Sequence, residues 1–346
     1  MIAGWIMRAL AMPIWLKLAG AVLAALATFA GGARAEPVKI WSSWVVPVSN
    51  LPSILFAKEG ITRHNGQSYV MEAIRFQGST AMIGALASGD IDIALLGFSS
   101  FSFAIEKAGI KDARLIASEM QDGVPGFYSQ GFAVAKDGPI RTIEDLKGKV
   151  VAINGTGSAV DIAMRAMLLR HGLRPRQDVM VIEAPFPAMK TLLAENRAVL
   201  IPNVPPFSED PELKAQSRIL FTTRDAMGPS EISIWVVRQR FLKKNRAAMV
   251  DLLEDFLRAL RFYIDPRNHA EAVRIAADFS RLPAAAFDSW LFTKDDFYRD
   301  PRGLPNLDAL QANIDQERRE GFLKTRIEVR KYVDLSLIEE AAKRLP

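Results

Sequence analysis

The sequence predicts an α/β protein of two lobes, each a doubly wound sheet, and three observations lead to this prediction. Short apolar segments of strand length alternate with segments that carry one apolar helical face, as expected where helices connect parallel strands. This alternation occurs over residues 38–118 and again over 149–201. Glycine and small hydroxyl residues follow several of the strands. With 346 residues, the chain is long enough to bury a core in each lobe.

The elements follow in order along the chain. Apolar runs predict strands at 38–41, 69–76, 91–96, 114–118, 149–153, 179–183 and 198–201, and the stretch 233–237 is expected to carry the chain back to the first lobe. Helical spacing predicts helices at 51–58, after Gly78, after Gly97, and at 159–170, 188–195 and 246–263. We expect the chain to cross between lobes near 122–130 and 222–235. Residues 36–127 and 223–346 would then form lobe 1, and residues 128–222 would form lobe 2.

The first 35 residues have the pattern of a secretory signal peptide. Arg8 and Lys17 supply positive charge, an uncharged apolar run covers 18–30, and Ala33-Arg34-Ala35 is a small-residue cleavage site. An uncleaved membrane anchor is the alternative, but the apolar run is shorter than the roughly 20 residues that span a bilayer. We therefore expect a mature protein that starts at Glu36, is located outside the cytoplasm and, because the chain has no cysteine, carries no lipid anchor.

Composition narrows the function classes. The formal charge of +5 includes three basic residues and no acid before Glu36, so residues 36–346 carry +2. This balance, without a basic stripe, predicts no nucleic-acid partner. The chain has no cysteine, and its three histidines lie far apart in sequence, so we expect no metal, no cofactor and no catalytic residue. Glu231 and the run 317–320 are interpreted as solvated charges.

Three loops of small polar residues are the candidate ligand site. They contain Ser79-Thr80, Ser99-Ser100 and Thr156-Gly157-Ser158, and each lies between a predicted strand and a predicted helix. Backbone N–H groups at a helix N-terminus attract anions, and the glycines allow close approach of a ligand. Ordinary helix capping is the alternative for all three loops.

Aromatic residues at predicted loop positions that face the same crevice suggest a ligand with a flat or apolar body. These are Trp44, Phe98, Tyr128, Phe186 and Phe207, for which simple packing is the alternative. The full set of predicted ligand contacts is Ser43, Trp44, Gln77, Ser79, Thr80, Phe98, Ser99, Ser100, Tyr128, Thr156, Gly157, Ser158, Phe186 and Asn203.

Four ordered motifs carry a resemblance to a known family. They are LFAKEGI at 55–61, ALASGDIDIA at 85–94, IEDLKGKVVA at 143–152 followed by Gly157-Ser158, and IEVRKYVD at 327–334. The chain resembles the periplasmic solute-binding proteins of ABC importers for sulfonates, nitrate and taurine, a group that includes thiamine-precursor proteins. The resemblance implies a two-lobed periplasmic-binding-protein fold of type II with a hinge. It also implies a monomer that docks on an ABC permease in the inner membrane.

One departure from the family bears on the ligand. The usual acidic turn and Trp-Asp-Pro loop are replaced by Asn196-Arg197-Ala198-Val199 and by the proline-rich stretch 202–206. The missing acid argues against an amino-sulfonate such as taurine and favours a plain organic anion, either a sulfonate or a carboxylate.

Two other functions stay open. One is a thiamine-pyrimidine-related binding protein or enzyme on the same scaffold. The related synthases depend on a cysteine-rich motif and a histidine and work in the cytoplasm, so the absence of cysteine and the export signal argue against an enzyme. The other is a ligand-sensing partner of a membrane receptor, which would use the same site.

Overall fold

The computed structural model describes residues 36–345, and the predicted signal peptide lies outside them. The strands are β1 (Val38–Trp44), β2 (Tyr69–Arg75), β3 (Ile93–Leu96), β4 (Ala113–Asp122), β5 (Gly131–Ala135), β6 (Val150–Ile153), β7 (Met180–Glu183), β8 (Ile201–Asn203), β9 (Ser217–Thr222) and β10 (Ser230–Arg238). The helices are α1 (Ser79–Ser88), α2 (Phe98–Glu106), α3 (Ala159–Arg170), α4 (Met189–Ala194), α5 (Pro211–Gln216), α6 (Thr223–Met227), α7 (Gln239–Ile264), α8 (His269–Ser280), α9 (Leu307–Arg319) and α10 (Ser336–Lys343). Among these helices, none is long and apolar enough to cross a membrane.

Five strands form a large sheet in the order β2-β1-β3-β10-β4. Strand β1 is parallel to β2, with Val38 opposite Tyr69 and Trp44 opposite Arg75. Strand β10 is antiparallel to both β3 and β4. The parallel strands therefore end at one edge, where the loops leading into α1 and α2 lie.

The other strands form two smaller sheets that are joined edge to edge. Strand β5 lies between β8 and β9 and is antiparallel to both, while β6 and β7 are parallel. The Val199 N–H donates to the Val150 carbonyl, and the Ala152 N–H donates to the Leu200 carbonyl, both at 2.8 Å. The combined order, β7-β6-β8-β5-β9, repeats the order of the large sheet, with an antiparallel strand at the fourth position.

The α/β class is confirmed, but the large sheet and the combined order of the two smaller sheets each contain an antiparallel strand, so the expectation of parallel sheets was wrong in this respect. We call the large sheet one sheet group and the two smaller sheets together the other. Strands β5 and β10 are the antiparallel ones, and each follows a passage of the chain from one sheet group to the other. A strand that enters without a crossover helix can pair in the antiparallel direction. Strands β5 and β9 were not predicted at all.

The predicted amphipathic helix 246–263 is present within α7, which has a kink at Asn245, so that residues 239–244 form a separate turn of helix before it. Its apolar face, which includes Met249, Leu253 and Phe256, is fully buried. The ring of Phe256 lies 4.6 Å from that of Trp235 on β10, measured between centroids. This helix therefore anchors β10 in the core of the large sheet.

Two other local predictions were wrong. The helix expected at 51–58 is only a 3₁₀ turn, Leu51–Ser53, with Pro52 in its first turn. Glu231 and Glu317, interpreted as solvated charges, are fully buried. Ser118 donates a hydrogen bond to Glu231, and Ser102 donates one to Glu317. Burial raises the pKa of each carboxyl to about 8.

Candidate functional site

A cavity of ≈100 Å³, which we call the cleft cavity, lies between loops of the large sheet and loops of the two smaller sheets. Its lining is neutral throughout: Val45, Val46, Ser49, Asn50, Ser79, Leu95, Gly97, Met120, Gln130, Asn154, Ser158, Ala159, Val160, Phe186, Val204, Ile232, Ser233 and Phe297. Apolar side chains form most of this surface, and a few amides and hydroxyls interrupt it. Such a mixture is typical of a small-molecule site, in which few polar groups fix the ligand.

Three helix N-termini meet at the cleft cavity. Ser79 is the first residue of α1, while Gly97 and Ser158 are the N-cap residues of α2 and α3. All three line the cavity. Each N-terminus carries a partial positive charge from its aligned peptide dipoles, which favours an anionic group nearby.

Two polar side-chain atoms at the cavity have no hydrogen-bond partner among the described residues. They are Gln130 Nε2 and Ser233 Oγ, and the two residues are 7% and 3% exposed. An unpaired buried polar group costs about 1–3 kcal/mol, so a ligand that pairs with both would recover this energy. An amide NH₂ can only donate, and a hydroxyl can donate, so both suit an oxygen-rich ligand.

The sequence analysis missed both residues. Gln130 lies just before β5, outside any motif. Ser233 lies within a strand whose remaining residues are mostly buried, and a polar residue in such a strand is the one signal that could have pointed to it.

A buried network fixes the rim beside β1. The Asn50 Oδ1 accepts hydrogen bonds from the N–H groups of Val45 and Val46, at 3.0 and 2.8 Å. Its Nδ2 donates to Glu119, which also accepts from Leu51 N–H and Trp235 Nε1. Burial raises the pKa of the Glu119 carboxyl, and the charge of Arg299 opposes this shift. Asn50 therefore shapes the cavity wall with its own groups already paired.

Four of the predicted contacts instead join the two sheet groups to each other. The Thr80 hydroxyl donates to the Thr156 carbonyl at 2.8 Å, and the Ser99 hydroxyl donates to the Gly157 carbonyl at 3.0 Å. We call these four residues the seam. The Gly157 N–H is also taken, because it donates to Asp161 Oδ2 at 2.8 Å. None of the four lines the cleft cavity.

Thr156 is further occupied on its own side of the seam. Its N–H and hydroxyl both donate to Glu183, and Arg176 donates to the hydroxyl oxygen. Our expectation that Thr156 and Gly157 offer free donors to a ligand therefore does not agree with the geometry.

Four more predicted contacts lie away from the cavity. Ser43 is buried within the large sheet, where its hydroxyl pairs with Met82, Ile93 and Leu95. Trp44 packs edge-on against Phe279. Phe98 is buried in the core, and the Ser100 hydroxyl accepts from the Gly97 N–H as part of a helix cap. Proximity to a strand end did not reveal which way these side chains point.

The remaining predictions divide between the cavity and its surroundings. Phe186 lines the cavity, as Ser79 and Ser158 do. Gln77 is exposed and lines a side groove that shares Val45 and Phe186 with the cleft cavity. The Tyr128 hydroxyl donates to the Asn203 carbonyl at 2.7 Å, so these two residues contact each other. Asn203 lines a neighbouring space, and its Oδ1 is buried and unpaired.

A buried acid lies beside Gln130. Asp122, at the end of β4, accepts a hydrogen bond from the Gln130 N–H at 2.9 Å and another from the Ser129 hydroxyl. Burial raises the pKa of Asp122 to about 7, even though these hydrogen bonds lower it. Asp122 thus holds the backbone of Gln130 in place while the Gln130 side chain borders the cavity.

Among the described residues, His64, Asp251 and Glu254 form the one group with the spacing of a metal site. Arg344 contacts Asp251 at 2.8 Å, and Arg258 forms an ion pair with Glu254. These arginines already balance the acids, and none of the three residues lines the cleft cavity.

Solved structures of similar fold include both binding proteins and an enzyme. The alkanesulfonate-binding protein SsuA from Xanthomonas axonopodis pv. citri, bound to MOPS, is 19% identical with a TM-score of 0.69, over 87% of this chain and 99% of that chain. The periplasmic nitrate-binding protein NrtA from Synechocystis PCC 6803 is 16% identical with a TM-score of 0.69, and the match covers 90% of this chain and 89% of that chain. The desulfurization enzyme DSZB is 14% identical with a TM-score of 0.62, and the match covers 89% of this chain and 100% of that chain.

These similarities establish the two-lobed periplasmic-binding-protein fold that the sequence motifs predicted. A comparison with curated protein sequences finds no significant match. The model of the NMT1-like family matches residues 33–277, which is more than half of the chain. The chain therefore belongs to the NMT1-like family.

Proposed function

We propose that this protein is a periplasmic solute-binding protein that captures a small organic anion for an ABC importer. One observation carries the proposal: the cleft cavity is bordered by three helix N-termini and by two buried polar groups that lack partners. Helix N-termini and neutral donors can hold an anion without a full positive charge. A sulfonate or carboxylate group offers the oxygens that Gln130 and Ser233 would need.

In this proposal the two sheet groups are lobes that close on the solute. Lobe 1 comprises residues 36–127 and 223–346, and lobe 2 comprises residues 128–222. The cavity receives residues from both, and the seam hydrogen bonds would form only when the lobes approach. Hinge closure of this kind is a common mode of domain motion around a ligand. The closed, monomeric form would then dock on its permease in the inner membrane.

An enzymatic role has less support. None of the described residues that line the cleft cavity is titratable, and the chain has no cysteine. General acid–base or nucleophilic catalysis requires such a group within reach of the substrate. A ligand-sensing role at a receptor would use the same cavity, and uptake measurements with and without the protein would distinguish it from import.

The test combines a ligand panel with one variant. Sulfonates, carboxylates, nitrate and pyrimidines are titrated calorimetrically into the wild-type protein and into Gln130→Met. Methionine has a similar shape but no donor, so we expect the best anion to bind about ten- to hundredfold more weakly. The matched control is Gln177→Met, because Gln177 is exposed and does not line the cavity.

Each result has a defined meaning. Anion binding that Gln130→Met weakens and Gln177→Met leaves unchanged supports the proposal. Equal affinity in both variants would place the site elsewhere. Binding of neutral pyrimidines alone would overturn the anionic ligand while keeping the binding function.

A further inference from the structure

A second, larger space opens directly beside the cleft cavity. It has a volume of ≈440 Å³, and we call it the apolar chamber. Phe186 and Val204 line both the chamber and the cleft cavity, so the two spaces share a wall. A ligand that occupies both spaces would pass along these two side chains.

The chamber is apolar over most of its surface. Pro202 lies on β8 and Phe207 lies on the loop that follows it, while Leu282 and Ala286 come from the segment after α8. Leu282 remains 46% exposed, an unusual amount for a large aliphatic side chain. A ligand body in the chamber would cover this side chain, with a gain roughly proportional to the apolar area removed from water.

The charged residues at the chamber are already paired. Lys190 Nζ contacts Asp210 Oδ2 at 2.9 Å, and Glu209 forms an ion pair with Lys214. They therefore offer no free charge to a ligand. The polar group that stays unsatisfied is the buried Asn203 Oδ1, an acceptor. The chamber thus suits an apolar body that carries at most a hydroxyl or N–H donor.

The volumes of the two spaces indicate which part of a ligand each could hold. The cleft cavity, at ≈100 Å³, is smaller than typical pockets of about 300–1,000 Å³, whereas the chamber falls within that range. We infer that the ligand is an anion with two chemically distinct parts, a compact acid head in the cleft cavity and an aromatic or branched aliphatic body in the apolar chamber. This inference rests on the proposed function and names the substrate class within it.

Calorimetry with paired probes tests the inference. Methanesulfonate carries the head alone, benzenesulfonate carries head and body, and benzyl alcohol carries the body without the charge. In the wild type, benzenesulfonate should bind at least tenfold more tightly than methanesulfonate. Ala286→Trp fills the chamber and should weaken benzenesulfonate binding at least tenfold, while methanesulfonate affinity changes less than twofold.

The neighbouring residue provides a matched control. Ala284 belongs to the same 3₁₀ turn but is exposed and does not line the chamber, so Ala284→Trp should alter neither affinity. Thermal unfolding of both variants without ligand should agree within a few degrees. If the melting temperature falls only in Ala286→Trp, Leu282→Ser serves as the second variant, because it removes apolar lining without adding side-chain volume. We expect Leu282→Ser to weaken the binding of benzenesulfonate and to leave that of methanesulfonate unchanged.

The outcomes separate this inference from the proposed function. Equal affinity for the two sulfonates, unchanged by Ala286→Trp, would overturn the chamber and leave anion capture intact. Benzyl alcohol could also bind as tightly as benzenesulfonate and lose this affinity in Ala286→Trp but not in Gln130→Met. That result would contradict an acid head in the ligand while supporting the chamber as its binding site. No binding of any probe would contradict both.

Discussion

The seam and the cleft cavity lie a few residues apart, at the same helix N-termini, and they treat their polar groups differently. In the seam, the hydroxyls of Thr80 and Ser99 donate to carbonyls across the cleft, and the Gly157 N–H donates to Asp161. In the cavity, Gln130 Nε2 and Ser233 Oγ remain unpaired. The difference teaches that a hydroxyl beside a helix N-terminus can pair with the facing loop and so be unavailable to a ligand. Unsatisfied hydrogen-bonding capacity is the better guide to the ligand.

The strongest perturbation of the seam is Gly157→Val. Gly157 has a φ of +81°, and an added Cβ would lie 2.9 Å from the Phe103 ring. A β-branched residue is strained in this backbone region and would also separate α2 from the loop before α3. We expect a loss of about 2–4 kcal/mol in unfolding free energy or, if the seam opens instead, at least a hundredfold loss of ligand affinity.

Urea unfolding and calorimetric titration together distinguish the two effects of Gly157→Val. Gly155→Val is the control, because a Cβ at that position meets nothing within 4 Å. A Gly157→Val protein with wild-type stability and affinity would show that the seam does not constrain closure.

The cavity is tested by two serines of the same strand. Ser230 and Ser233 both lie on β10, both are buried, and both hydroxyls lack partners, but only Ser233 lines the cleft cavity. Ser233→Ala should weaken binding of the anion about ten- to hundredfold, while Ser230→Ala should leave its affinity unchanged. Titration of the best ligand from the panel measures both variants. An equal loss of affinity in the two variants would mean that the substitutions act by disturbing β10 and not by removing a ligand contact.

The smallest effect is expected for Ser99→Ala, which tests whether the seam contributes to ligand retention. Ser99→Ala removes a single buried hydrogen bond, worth about 1 kcal/mol, and so should increase the rate of ligand dissociation roughly fivefold. Stopped-flow displacement measures this rate. Ser88→Ala is the control, because the exposed Ser88 hydroxyl bonds within α1 and to Asp90. An unchanged dissociation rate in Ser99→Ala would remove the seam from the closing step.

The alternation of strands and helices was readable from the sequence, whereas the strand directions were not. The pattern at 69–100 gave β2, α1, β3 and α2 because local apolar periodicity determines them. Strands β5 and β10 take their direction from the passage of the chain between sheet groups, which no local pattern records. Strand β5 in particular is five residues long and follows a loop, so it gave no distinct signal.

The candidate site was readable only in part, for a related reason. Loops after strands identified the helix N-termini at Ser79 and Ser158, because small polar residues mark such positions. Whether a hydroxyl is already satisfied depends on a partner that is distant in sequence, as with Ser99 and Gly157. The combination of an unpaired buried atom with a place at the cleft cavity distinguishes Gln130 and Ser233, and it is likewise a property of the folded chain alone.

The positions of Gln130 and Ser233 have a consequence for the order of events in capture. Gln130 directly precedes β5, and Ser233 lies on β10, so each donor lies close to one of the two chain passages between the sheet groups. When two bodies rotate about a shared axis, points near the axis travel a short path and points at the rim travel a long one. The two donors would therefore keep nearly the same separation before and after rotation. A solute would be recognised at first encounter by groups that hardly move, and the distant rim would then govern how long it stays.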